Sequence, residues 1–285
     1  MRGLLRLALW LLGTAACFLL PVSQATAWDN RPLEVGLFPY LSTHAVLNAY
    51  RPLRSYLEQR LQRPVTLVTA PDLRTFVERT EKGEYRFVIT APHFARLAQV
   101  EAGYVPMLSV DNGLYGILVV AKGSPVRDVR ALRGKIVSTP SKITIVSMLG
   151  LHLLRENGLQ PGRDVTIHQA ASHNSAVLSV LRGESTAAVT SATALRQMPP
   201  KIRDAVRTLA LTREVPHLMY LANPRVPERE VAKMTRLLLD FAGSPEGRRF
   251  MRDTGYAGLR PPTEGELRSL DPYVTELKAL LSQPR

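Results

Sequence analysis

Three observations predict an α/β fold. Short apolar runs alternate with stretches of helical period, glycine, proline or aspartate stands between them, and the alternation continues for most of the 285 residues. A chain of this length, 45% apolar and 21% charged, has the composition of a globular protein and room for a large core. Runs at 33–38, 65–69, 85–90, 115–121, 135–138, 165–168, 186–190 and 218–222 read as strands. Asp72 can cap a helix through Leu73, Phe76 and Val77 that stops at Gly83. Met148, Leu151 and Leu154 form a core stripe ending at Asn157-Gly158, and Ser172 can cap Ala176, Val177, Val180 and Leu181 with Gly183 as the stop. From Pro227 onward the pattern is helical: Val231-Met234-Leu238-Phe241, then Pro245–Thr254, then Tyr273-Leu277-Leu280.

The first segment reads as an export signal over 1–27. Arg2 and Arg6 precede an uncharged apolar run at 7–20, too short to span a bilayer, and Ala25-Thr26-Ala27 offers the small-x-small cleavage pattern. Thr14-Ala15-Ala16-Cys17 is a poorer lipobox, because Thr14 stands where a large aliphatic residue is usual. Cys17 is the sole cysteine, so the exported chain has no disulfide, iron–sulfur or cysteine-nucleophile chemistry, and a periplasmic location is expected.

Charge divides the chain. Lys and Arg number 37 against 24 Asp and Glu, a net +13 that suits an anionic partner. Residues 121–212 carry 13 Lys/Arg against 5 Asp/Glu, most of the excess. This suggests one lobe at 121–212 and another from 28–120 with 213–285, joined by crossing strands at 115–121 and 218–222.

Enzyme motifs are absent: there is no GxSxG, GxxxxGK[ST], HExxH or CxxC. An aromatic fraction of 6% gives no stacking-rich basic stripe for nucleic acid. His44, His93, His173 and His217 fall near strand ends and could converge, but no HxH or HxxxH spacing marks a metal site, and no cofactor is expected.

Several stretches, in order, resemble the phosphonate-binding periplasmic proteins, substrate-binding components of ABC importers. Pro52-Leu53-Arg54-Ser55-Tyr56-Leu57-Glu58 with Pro64-Val65-Thr66-Leu67 is similar to that family's first helix and second strand. Asp111-Asn112-Gly113-Leu114-Tyr115-Gly116, with Ser124-Pro125 and Leu132-Arg133-Gly134-Lys135 after it, resembles its crossover strand and the start of its second lobe. Ser172-His173-Asn174-Ser175, leading to Arg182-Gly183-Glu184, resembles its histidine-bearing helix. The resemblance implies a type 2 periplasmic-binding-protein fold: two lobes, each a mainly parallel sheet flanked by helices, joined by two crossing hinge strands. It also implies a monomer that binds a small anionic ligand such as a phosphonate, phosphate or similar oxyanion and delivers it to an ABC permease. The alternative is a sensory or accessory role at a membrane receptor.

Where that family places Ser-Thr-Ser, this chain has Thr139-Pro140-Ser141-Lys142-Ile143-Thr144; Thr90-Ala91-Pro92 replaces an aromatic-glycine closure, and Thr186 and Ser191 stand near positions usually Asp or Asn. Ser141, Lys142 and Thr144 open a helix after a proline turn, which suits either an anion site or an ordinary cap with a solvated lysine. His173 falls in the first turn of a helix, where the positive helix end lowers its pKa, and it matches the family's ligand histidine. Tyr40, at the end of the first strand, is either a cleft wall or a core tyrosine, and Thr90 would face the ligand from the same lobe.

Overall fold

The computed structural model describes residues 32–283; the export signal and Cys17 lie outside the described residues. The chain begins with β1 (Leu33–Leu37), α1 (Thr43–Ala49), α2 (Arg51–Leu61), β2 (Val65–Val68), α3 (Leu73–Glu81), β3 (Phe87–Thr90), α4 (Pro92–Ala102) and β4 (Val105–Val110). There follow β5 (Leu114–Ala121), β6 (Ile136–Thr139), α5 (Ile145–Glu156), β7 (Thr166–Gln169), α6 (His173–Leu181), β8 (Ala187–Ser191), α7 (Ala192–Arg196), α8 (Pro200–Arg203) and β9 (Val206–Val215). The chain continues through β10 (Met219–Ala222), α9 (Glu228–Gly243), α10 (Pro245–Thr254), β11 (Leu259–Arg260), α11 (Glu264–Ser269) and α12 (Asp271–Leu281).

These strands build two sheets, ordered β11-β4-β10-β3-β1-β2 and β7-β6-β8-β5-β9. Both are mixed. β1 is parallel to β2 and β3, and β6 to β7 and β8, but β10 runs antiparallel to β3 and β4, and β5 antiparallel to β8 and β9. β1–β4 in the first sheet and β6–β9 in the second each run one way, as expected of mainly parallel sheets, while β5 and β10 each follow a passage between the sheets and enter against that direction. The passages themselves differ from the sequence reading. β5 pairs along its length within the second sheet and β10 within the first, so the chain moves between sheets at 111–113 and at 216–218.

Helix ends form where cap chemistry predicts them. Asp72 Oδ1 accepts from the Thr75 N–H at 2.8 Å, and Ser172 makes a reciprocal capping box with Ser175. Gly83 and Gly183, at φ +70° and +75°, terminate α3 and α6 in a region that side chains disfavour. Sequence reading missed β4, β9 and β11. Pro106 interrupts β4, and β9 is a half-exposed edge strand carrying Arg207, Arg213 and Glu214. No helix among the described residues is long and apolar enough to cross a membrane.

The central helix α5 lies against the second sheet through a glycine contact. A Cβ on Gly150 would stand 2.6 Å from Cγ2 of the wholly buried Val189 on β8. Gly150→Ala gains about 1 kcal/mol of helix propensity but incurs about 1–3 kcal/mol of overpacking against a stiff β-branched neighbour. The expected outcome is a net loss of stability, read as a lower melting temperature by circular dichroism; an unchanged or raised melting temperature would show that the two layers are loosely packed.

Candidate functional site

The loops after β1, β3, β6, β7 and β8 gather at one place between the two sheets, beyond the carboxyl ends of the parallel strands. They line a narrow cavity of about 40 Å³ that is partly open to solvent. From the first sheet's side come Phe38, Tyr40, His93 and Phe94, and from the second come Thr144, Ile145, Val146, His173, Ser191 and Thr193; His217 lies on the return passage. The lining residues include no Asp, Glu, Lys or Arg.

The walls are aromatic on one side. Phe38 stacks on Tyr40 with centroids 4.8 Å apart, meets Phe94 edge-on at 6.5 Å, and Phe94 stacks on His93 at 4.1 Å. Helix beginnings stand on both sides. Thr144 caps α5 by accepting from the Ser147 N–H at 3.2 Å, and its hydroxyl donates to the Ser141 carbonyl. α4 follows Ala91, which has no capping side chain, so the first-turn N–H groups of His93 and Phe94 lack a side-chain acceptor. The positive ends of α4, α5 and α6 thus converge on the cavity.

Hydrogen bonds define the state of each imidazole. The Leu218 N–H donates to His217 Nδ1 at 2.7 Å, so His217 carries its proton on Nε2 and donates it to Thr193 Oγ1 at 3.1 Å. That leaves the Thr193 hydroxyl proton available. His173 Nδ1 lies 3.0 Å from Thr190 Oγ1; accepting the threonine's proton there leaves Nε2–H as a donor. His93 Nε2 donates to the Ile143 carbonyl at 2.8 Å, and its buried Nδ1 has no partner. Tyr40 Oη donates to Gln197 Oε1 at 2.6 Å. The last two bonds tie elements of the first sheet to elements of the second.

Burial sets the charge state. It pushes His93 and His173 down to about 4 and His217 to about 3, while it pushes the Tyr40 phenol up to about 12. For His173 the direction matches the sequence expectation, but desolvation is its cause where the helix end had been expected to act.

Of the residues singled out from sequence, Tyr40, Thr144 and His173 line the cavity. Thr90 is wholly buried in β3, and its Oγ1 has no partner. Ser141 and Lys142 do not reach the cavity: they line a separate outer groove with Arg74 and Asp72, and Lys142 Nζ donates to Gln283 Oε1 at 2.6 Å. α5 starts at Ile145 with Thr144 as its cap, so Ser141 and Lys142 belong to the loop before the helix. His93 and His217 join His173, whereas His44 is exposed on α1 beside Asn48. Among the described residues no cluster of three potential ligands could hold a metal. Phe38, Phe94, Thr193 and Gln197 carried no sequence signal beyond their places near strand ends.

Comparison with known proteins bears out the fold. The family described as ABC transporter, phosphonate, periplasmic substrate-binding protein matches residues 35–267. The fold is similar to PhnD1 from Prochlorococcus marinus in complex with methylphosphonate, at 12% identity and TM-score 0.75, covering 88% of this chain and 99% of that one. A binding-protein component of an ABC phosphonate transporter from Pseudomonas aeruginosa matches at 12% identity and TM-score 0.77, covering 89% and 90%. The periplasmic aliphatic sulphonate binding protein SsuA from Escherichia coli matches at 17% and 0.62, covering 89% and 94%. All are binding proteins, and none is described as an enzyme.

The buried imidazoles make stability depend on pH. Their folded pKa values lie below the ordinary value of about 6.5, so the unfolded chain binds protons first as pH falls. Their contribution is complete above about pH 6.5 and is lost on the way down through about pH 4, on the order of 3 kcal/mol for each fully neutral imidazole. Asp164 and Glu266, which their arginine partners hold at about 2, fade only below the ordinary carboxylate range. Urea unfolding should therefore show a loss of at least about 3 kcal/mol between about pH 6.5 and about pH 4.5. A flat profile there would mean that the imidazoles are solvated.

Proposed function

We propose a ligand class for this cavity from one premise: the chain belongs to the phosphonate-type periplasmic substrate-binding proteins of ABC transporters. Proteins of this family bind small ligands and deliver them to ABC permeases. The ligand is a small tetrahedral oxyanion with a compact apolar substituent, of the alkylphosphonate kind. The observation that carries this reading is a cavity with no charged side chain, where neutral donors and the beginnings of α4, α5 and α6 meet an aromatic wall.

His173 Nε2–H, the Thr193 hydroxyl and the open N–H groups at the starts of α4 and α5 hold the anionic head, with helix ends supplying partial positive charge. Phe38, Tyr40 and Phe94 cover the apolar substituent. Thr144 positions the α5 end, and Thr90 supports the wall from behind. Residues 32–110 with 219–283 act as one lobe and 114–215 as the other, turning about 111–113 and 216–218 so that ligand bridges them. The protein works outside the cytoplasmic membrane as a monomer, with Lys142 lining the outer groove and not the ligand cavity.

Melting the protein with methylphosphonate tests the reading. Ligand at about 100 times its dissociation constant stabilises by about 2.7 kcal/mol, a rise of several degrees. His173→Ala removes a hydrogen bond to a charged group and should weaken binding at least about tenfold, measured by titration calorimetry, whereas Lys142→Ala should change it less than about threefold. No shift with any alkylphosphonate at millimolar concentration, or the reverse order of the two variants, would overturn the assignment.

A further inference from the structure

We infer that His93 selects among tetrahedral oxyanions for those that keep a proton, favouring a hydrogen phosphonate monoanion over a sulfonate of the same size. The inference rests on the oxyanion reading above and concerns discrimination within it. Most polar groups around the cavity either donate or are already engaged. His217 uses both nitrogens, Tyr40 gives its proton to Gln197, and the Thr144 hydroxyl is committed to its cap. The hydroxyls of Thr193 and Ser191 and Nε2 of His173 remain as donors.

His93 is different. Its Nε2 proton goes to the Ile143 carbonyl, so a neutral ring has only a lone pair at Nδ1. This side chain is 0% exposed, lines the cavity, and its Nδ1 has no partner. No carboxylate lines the cavity to accept a ligand proton in its place. A fully deprotonated oxyanion would set oxygen lone pairs against that nitrogen, whereas a P–OH group donates to it and satisfies both. Sulfonates have no proton to give near neutral pH. Phosphonates lose their second proton in the neutral range, as phosphate esters do.

The protein's own titrations leave this range clear. The titratable groups facing the cavity are His93, His173, His217 and Tyr40, which titrate at about 4, about 4, about 3 and about 12. Any dependence of affinity between about pH 6 and about pH 9 therefore follows the ligand's proton.

Titration calorimetry with methylphosphonate and methanesulfonate, on the full exported chain at about pH 6 and about pH 9, reads this out. Methylphosphonate should bind at least about tenfold tighter than methanesulfonate at the lower pH and lose most of that advantage at the higher one, while methanesulfonate affinity stays constant. His93→Gln, with an amide N–H for the Ile143 carbonyl and an oxygen to accept, should keep the preference; His93→Phe should reduce it to within about threefold. Equal binding of the two anions by the parent protein at the lower pH, or a preference unchanged in a folded His93→Phe, overturns the role of His93 and leaves the oxyanion reading standing. If His93→Phe fails to fold, the parent's pH profile decides alone. Binding of neither anion overturns both.

Discussion

The 2.8 Å hydrogen bond from His93 Nε2 to the Ile143 carbonyl crosses from the first helical turn beyond β3 to the segment that leads into α5. Both partners are buried, so neither can exchange this bond for water, and an orphaned carbonyl or imidazole there would cost roughly 1–3 kcal/mol. The bond fixes which nitrogen of His93 is protonated, and it holds the residue before the Thr144 cap at the cavity rim. The orientation of α5 and the aromatic wall around Phe94 depend on its being made, while the ring stays neutral because burial outweighs the pull of this bond toward the charged form. Tyr40 and Gln197 form a second tie of the same kind from a neighbouring loop.

The distribution of charge is the complement of this arrangement. The basic excess of 121–212 lies outside the cavity, partly paired: Arg133 with Asp164 at 2.7 Å and Arg203 with Asp204 at 2.9 Å, both arginines exposed. Such pairs contribute little to stability and are screened by salt. A lysine or arginine brought into the cavity would lose its hydration whenever the lobes closed empty. Neutral donors and helix ends avoid that cost, and they release an anion more readily once water returns.

Much of the fold was legible because it rests on local rules. Asp72, Ser172 and the glycines that follow α3 and α6 act through backbone geometry within a few residues, and eight strands show as apolar runs between turn residues. β9 was not legible, since an edge strand with one solvated side carries charges that read as loop, and Pro106 masked β4. At the site, His173, Tyr40 and Thr144 follow from position at strand and helix ends. Lys142 precedes the Thr144 cap and lines the outer groove, a placement that depends on the loop path after β6 and that no local pattern records. His93 and His217 sat near strand ends in the sequence as well, but their roles come from hydrogen bonds to residues 50 and 24 positions away, which no local pattern records.

The place of β10 in the first sheet has a consequence for how the chain acquires its structure. β10 lies between β3 and β4, yet about a hundred residues, including the whole second sheet, separate it from β4. An emerging chain that has only reached β4 leaves the facing edges of β3 and β4 unpaired, with the strand that joins them still to come. The first sheet therefore cannot be finished before the second has been traversed, and its completion closes a long loop, a non-local step of the kind that slows folding. Until that step occurs, the facing edges of β3 and β4 stay open to pairing with another chain.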